Sequence, residues 1–114
     1  MKPFTYHITD SDCSSLYFIL SATSELLSLL PSDEYDPSFI ANQKKYSISA
    51  AKVLEKQDTQ ISLNQLQAIY NALVIADEII HKEIPLADAL YSTFTPYTFA
   101  VEKLLPVFTD YFNY

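Results

Sequence analysis

The chain has 114 residues, and 49% of them are hydrophobic, which is enough for one domain with one buried core and too little for two ordinary domains. It has no glycine, no arginine and a net charge of -7, which excludes glycine-rich phosphate-binding loops and argues against direct binding of nucleic acid. Glycine is the residue that tight turns favour, and because it is missing we expect an all-α fold. We expect residues 1–114 to form a single antiparallel four-helix bundle with an additional short helix and a short extended N-terminal arm (residues 1–9).

Sequence features also predict where the protein resides. The longest apolar runs contain five residues, whereas a membrane-spanning helix needs roughly 20, so we expect no membrane association. The first residues lack the apolar stretch of a signal peptide, and Cys13 has no second cysteine with which to form a disulfide. We therefore expect a cytoplasmic protein. The lack of glycine and arginine beside many lysine, asparagine, isoleucine and tyrosine residues indicates a bacterial or phage source.

The arm and the first helix are predicted from alternation and from capping residues. Within residues 4–8, apolar and polar side chains alternate, as in an extended segment with one side against the bundle. Several capping residues at positions 9–12 precede a long apolar-periodic segment, and Pro31 follows it. Helix 1 is therefore expected from about Ser11 to Leu30.

Helices 2 and 3 have strong start signals. Asp36 as the N-cap and Pro37 at the first helical position predict helix 2, which is expected to end near Gln57. Ser62 and Gln65 have the spacing of a capping box and predict the start of helix 3. This helix should end before the next proline, at position 85, because the residue preceding a proline disfavours helical geometry.

A short helix over residues 86–94 and a final helix complete the predicted bundle. Thr95 followed by Pro96 repeats the pattern of cap and proline, so we expect the final helix to begin there. Pro106 falls on the side opposite the apolar face of this helix, which predicts a kink that is convex toward solvent rather than a break. The residues expected on that apolar face are Tyr97, Val101, Leu104, Leu105, Phe108, Tyr111 and Phe112.

Helix 3 carries the candidate polar cluster. It contains Glu78-Ile79-Ile80-His81, and Glu-x-x-His is the spacing of ligands in the di-metal sites of helix bundles. Helical geometry places Glu78 off the apolar stripe, Asp77 within it and His81 at its edge. We therefore expect a polar cluster of Tyr70, Asp77 and His81. The expected stripe consists of Leu66, Ile69, Tyr70, Leu73, Ala76, Ile80 and Ile84.

A metal site at this cluster is the less favoured interpretation. A di-metal centre needs a second Glu-x-x-His helix, which the chain lacks. A zinc site would need Asp77, His81, His7 and Cys13 to converge, and these residues have no metal-binding spacing. The favoured interpretation is a partly buried Asp77 that is satisfied by His81, a tyrosine hydroxyl or a backbone amide. We expect no metal, no cofactor and no enzymatic activity, since aspartates beside Cys13 oppose thiolate formation and no other nucleophile is evident.

Three surfaces are candidates for binding a protein, and for each the alternative is an ordinary solvated or core-packed face. Helix 2 carries four lysines around an outward side that also holds Ile48. Helix 1 has a polar side of small residues, which permits close approach of another helix, and two aromatic residues lie outside the apolar face of the final helix. The candidate interface residues on the last two surfaces are Tyr17, Ser21, Ser24, Ser28, Phe99 and Tyr114.

No motif in the chain specifies a reaction or a ligand, so function is predicted only as a class. The leading hypothesis is a non-enzymatic protein-interaction module that self-associates, as a homodimer or within a small assembly, through helix 1 and the C-terminal aromatic surface. A second hypothesis is an acidic inhibitor or immunity-type protein that acts on the basic site of another macromolecule. The third is a metal-binding or small-ligand-binding bundle centred on Asp77 and His81.

Overall fold

The computed structural model describes residues 4, 6–27, 36–55, 61–81 and 88–113, and their regular structure is entirely helical. The predicted all-α class is therefore confirmed, and no strand occurs among these residues. Four long helices pack against one another, with α1 and α3 each contacting two or more of the others. The helices are α1 (Asp10–Leu26), α2 (Pro37–Glu55), α3 (Leu63–Ile80), α4 (Asp88–Phe94) and α5 (Thr98–Phe112).

The predicted starts of the first three helices agree with the structure, because local capping groups determine them. At α1, Thr9 accepts a hydrogen bond from the backbone N–H of Asp12, and the Asp12 carboxylate accepts one from the backbone N–H of Thr9. At α2, the backbone N–H of Ser38 donates to the Asp36 carboxylate over 2.7 Å. At α3, the predicted capping box between Ser62 and Gln65 is present.

The predicted ends of these helices are less well tested. The α-helical part of α1 ends at Leu26, and Leu27 continues as a 3₁₀ turn, whereas the prediction reached Leu30. Residues 28–30, Gln57 and residues 82–85 lie outside the described residues. The α-helix of α3 ends at Ile80, followed by His81 in a turn.

The predicted first residue of the final helix, Pro96, was two residues too early. Residues Thr95–Tyr97 form a 3₁₀ turn, and α5 begins only at Thr98. The Thr95 hydroxyl donates to the backbone carbonyl of Ser92, so it serves the preceding helix and does not cap α5. The helix then continues through the exposed Pro106 to Phe112, so the expectation that Pro106 would not break it is confirmed.

The core lies around α3, and all five helices contribute buried side chains to it. Its largest fully buried side chains include Phe94, Phe108 and Leu73. The described arm residues have no regular secondary structure, and Phe4 packs its ring 5.0 Å from that of Phe108. Its neighbours Tyr6 and Ile8 are also partly buried against the core, whereas His7 is exposed, which agrees with the predicted one-sided arm.

The buried face of α3 is wider than predicted and lies further round the helix. Ala68, Ala72, Ile75 and Ile79 are all buried, although none belonged to the predicted stripe. The physical reason is that α3 contacts α1, α2, α4 and α5, so neighbours cover several of its sides. Asp77 consequently lies at the margin of the buried face and not within it, with its side chain 33% exposed.

None of the helices in the described ranges combines the length and the apolar character that crossing a membrane requires.

Candidate functional site

The predicted pair of Asp77 and His81 forms at the C-terminal end of α3. The Nδ1 atom of His81 lies 3.2 Å from a carboxylate oxygen of Asp77 and 2.8 Å from the backbone carbonyl oxygen of Asp77. The His81 side chain is more exposed than buried. Tyr70, the third member of the predicted cluster, stacks its ring on Phe112 of α5 at 5.2 Å between centroids.

The metal-ligating residue types do not gather in the described part of the chain. No group of three or more histidine, cysteine, aspartate or glutamate side chains there could hold a metal ion. Cys13 is half-buried on α1, and burial together with the charges of Asp10 and Asp12 raises the pKa of its thiol. The thiol therefore favours its protonated, unreactive form, as the neighbouring aspartates suggested.

Among the described residues, Asp12 carries the buried carboxylate, and sequence reasoning missed its long-range partner. Lys103 of α5 donates from Nζ to both Asp12 oxygens over 3.0 and 3.3 Å. Burial alone would raise the pKa of this carboxyl, but hydrogen bonds from Lys103 and Thr9 outweigh it and hold that pKa below its ordinary value. The spacing Thr9-x-x-Asp12 resembles a capping box and could have indicated that Asp12 faces the protein.

A second buried polar group, Gln43, connects α2 to α3. Its Nε2 donates to the backbone carbonyl of Ala68 over 2.8 Å and to the Ser47 hydroxyl over 3.3 Å. Its Oε1 accepts from Nδ2 of Asn71 over 3.0 Å. Gln43 and Ser47 lie on one helical stripe with the buried Leu54, and that spacing could have indicated their burial.

A surface groove lies between α1 and α2, and we call it the α1–α2 groove. It consists of two neighbouring concavities of about 340 and 360 Å³ that share Tyr17 and Glu55 as walls. Ser21 and Ser24 from the predicted serine side of helix 1 line it together with Ile48 and Lys52 of helix 2. The lining residues are Asp10, Cys13, Ser14, Tyr17, Leu20, Ser21, Ser24 and Glu25 from α1, and Ser47, Ile48, Ala51, Lys52, Leu54 and Glu55 from α2.

Exposed apolar side chains mark the same groove. Four large hydrophobic residues are exposed in the described part of the chain, and two of them, Tyr17 (42%) and Ile48 (54%), line the groove from opposite helices. Ser21 and Ser24 are half-buried between them, so a helix could approach closely there. The groove thus combines accessible apolar surface with a concave shape, which suits a macromolecular contact.

Charges of both signs border the groove, with an acidic excess. Asp10, Glu25 and Glu55 supply three carboxylates, and Lys52 supplies one ammonium group. Lys45, one of the four lysines predicted for the outward side of helix 2, does not line the groove, and its Nζ lies 5.4 Å from the centroid of the neighbouring Tyr46 ring. Only one described lysine of helix 2 therefore contributes to this groove.

The C-terminal aromatic residues divide between core and surface. Tyr97 stacks on Phe18 at 4.2 Å, and Tyr111 lies edge-on to Phe4 at 5.4 Å, so both help to pack the fold. Phe99, at the start of α5, is 77% exposed and is the most exposed large hydrophobic residue described. The predicted interface residues Ser28 and Tyr114 lie outside the described residues.

Comparisons with protein-family models, with curated proteins and with solved structures found no match for this chain.

Proposed function

We propose that the protein is a non-enzymatic protein-interaction module whose principal contact surface is the α1–α2 groove. The observation that carries this proposal is the position of Tyr17 and Ile48, two exposed apolar side chains that face one concavity from neighbouring helices. Exposed apolar side chains that are scattered singly need no explanation, but their convergence in a concave surface is typical of a contact site.

We also infer that the four long helices form an antiparallel bundle, which would let the groove follow the length of α1. At two helix interfaces, hydrogen bonds or ring contacts join rising residue numbers on one helix to falling numbers on the other, as antiparallel neighbours require. These pairs are Gln43–Asn71 and Ser49–Gln65 between α2 and α3, and Asp12–Lys103 and Phe18–Tyr97 between α1 and the segment formed by α5 and the 3₁₀ turn before it.

Photocrosslinking from inside the groove tests the proposed function. A photoreactive amino acid at position 48 should give a discrete crosslinked product in cells that produce the protein. The matched control places the same group at Leu63, which is similarly exposed but does not line the groove. A product from position 48 alone would support the proposal. No product, or equal products from both positions, would contradict it.

Self-association is the part of the proposal that concerns the partner. The serine side of α1 and the exposed Phe99 support contact between copies, since small residues allow close approach and a bare aromatic ring favours burial. Light scattering after size exclusion at high micromolar concentration tests this, and a clean monomer would contradict it. The acidic inhibitor stays the second candidate, and the acidic border of the groove favours it.

A further inference from the structure

We propose that the occupant of the α1–α2 groove is a basic amphipathic helix from another protein. This inference rests on the proposed function and adds the chemistry of the partner. A helix that lies in a groove uses apolar anchors toward the floor and flanking charged residues toward the borders.

The groove has the length and openness that suit a helix. The α1 residues that border it run from Asp10 to Glu25, and fifteen helical steps of this kind span about 22 Å, or four turns. Tyr17 and Ile48 are half exposed at its walls, so the groove is open to solvent along one side. A small ligand would leave much of its own surface in water there, whereas binding pockets normally bury roughly 70% or more of the surface of a drug-sized ligand.

The floor of the groove suits apolar anchors. Leu20 and Leu54 are almost fully buried beneath it, and Ser21, Ser24 and Ala51 are too small to fill it. Apolar side chains of a docked helix would therefore remove Tyr17 and Ile48 from water without displacing large residues. Burial of apolar surface contributes roughly 25 cal/mol per Å² before the costs of association are counted.

The charges at the border of the groove favour a basic partner. With three carboxylates and one ammonium group, the border of the groove has a formal charge of -2, in a chain whose net charge is -7. Lysine or arginine residues that flank the apolar face of a helix would meet Asp10, Glu25 and Glu55. A second copy of this chain in the groove would instead place one acidic border against another, and like charges across an interface disfavour association. We therefore assign the groove to a foreign helix and leave self-association to the exposed Phe99.

Two labelled peptides of identical apolar face test the inference. Each is a helix of about 16 residues with leucines at helical spacing, and the flanking positions are all lysine in one peptide and all glutamate in the other. In fluorescence anisotropy at about 50 mM salt, we expect the lysine peptide to bind at least about tenfold more tightly, and the preference to shrink at about 500 mM salt. Equal affinities would overturn the inference.

Matched variants separate groove binding from attraction to an acidic protein. Ile48→Ser should weaken binding of the lysine peptide by about tenfold, whereas Leu63→Ser should not. Glu55→Gln should weaken it by about threefold, whereas Glu102→Gln, at an exposed acidic site on α5, should leave it unchanged. Circular dichroism verifies that each variant is folded. Equal effects of Glu55→Gln and Glu102→Gln, or no effect of Ile48→Ser, would overturn the inference.

The two proposals fail in different ways. A crosslink from position 48 together with equal affinities for the two peptides would support the interaction module and contradict the basic helix as its occupant. A crosslink to another copy of the chain would identify a second copy as the occupant and also overturn the inference. The absence of both a crosslink and peptide binding would overturn both proposals.

Discussion

The Asp12–Lys103 ion pair joins the first turn of α1 to α5, and Asp12→Asn removes its charge while it keeps the shape of the side chain. Asp12 is 4% exposed, and its carboxylate accepts hydrogen bonds from Lys103 and from the backbone of Thr9. A hydrogen bond to a charged group contributes about 1.5 to 3 kcal/mol to stability. Lys103 is partly exposed and regains water when its partner is neutral, so we expect a net loss of about 2 kcal/mol from Asp12→Asn at neutral pH.

The pH dependence of this loss follows from the direction of the Asp12 pKa shift. Lys103 and Thr9 hold the pKa of the folded carboxyl below the value of the unfolded chain, against the opposing effect of burial. The contribution of Asp12 is therefore complete above the unfolded pKa, which is about 4, and is lost as the pH falls through the lower folded pKa. Below the folded pKa the protonated wild-type carboxyl resembles asparagine, so wild type and variant should become similar in stability.

Urea denaturation as a function of pH measures this effect. The control is Asp10→Asn, which removes an exposed carboxylate from the same helical turn and should cost less than about 0.5 kcal/mol. In a Lys103→Met background, Asp12→Asn should have a clearly smaller effect, since most of the interaction is already absent. A loss that is independent of pH, or one no larger than that of Asp10→Asn, would refute the reasoning.

Two further predictions concern the other polar contacts. Gln43→Ala should lower the free energy of unfolding by about 2 kcal/mol, because it leaves a cavity and removes the amide that donates to Ala68. The control is Asn42→Ala, at the exposed neighbouring amide of the same helix, and equal losses in urea melts would contradict the assigned role. His81→Ala should change stability by less than about 0.5 kcal/mol, because its pair with Asp77 is largely exposed to solvent. A loss above about 1 kcal/mol in thermal melts would mean that this pair contributes more to the free energy of unfolding than exposed pairs usually do.

Helix starts could be predicted where the capping group lies within the same turn. Asp36 and Ser62 accept hydrogen bonds from backbone N–H groups two or three residues away, so their capping roles can be predicted from a short stretch of sequence. Thr95 has the same kind of pattern, but its hydroxyl bonds to Ser92 of the preceding helix. The sequence is compatible with a Thr95 hydroxyl that bonds to either helix, and the short connection between α4 and α5 determines which bond forms.

The buried face of α3 shows why periodicity alone places polar residues imperfectly. A single stripe assumes that one neighbour covers one side of a helix. Here α3 has several neighbours, so Ala72 and Ile79 are buried and Asp77 lies at the margin. The i, i+4 pairing of Asp77 with His81 was predictable because both residues belong to one helix, whereas their exposure was not.

The sequence by itself determined the all-helical class, the starts of α1 to α3 at or within one residue, and the spacing that pairs Asp77 with His81. These properties depend on groups that are near in sequence. Only the tertiary structure decided that Asp12 meets Lys103, 91 positions away, and that Tyr17 and Ile48 share one groove. Such contacts arise from how whole helices pack, and the candidate site of this protein depends on contacts of that kind.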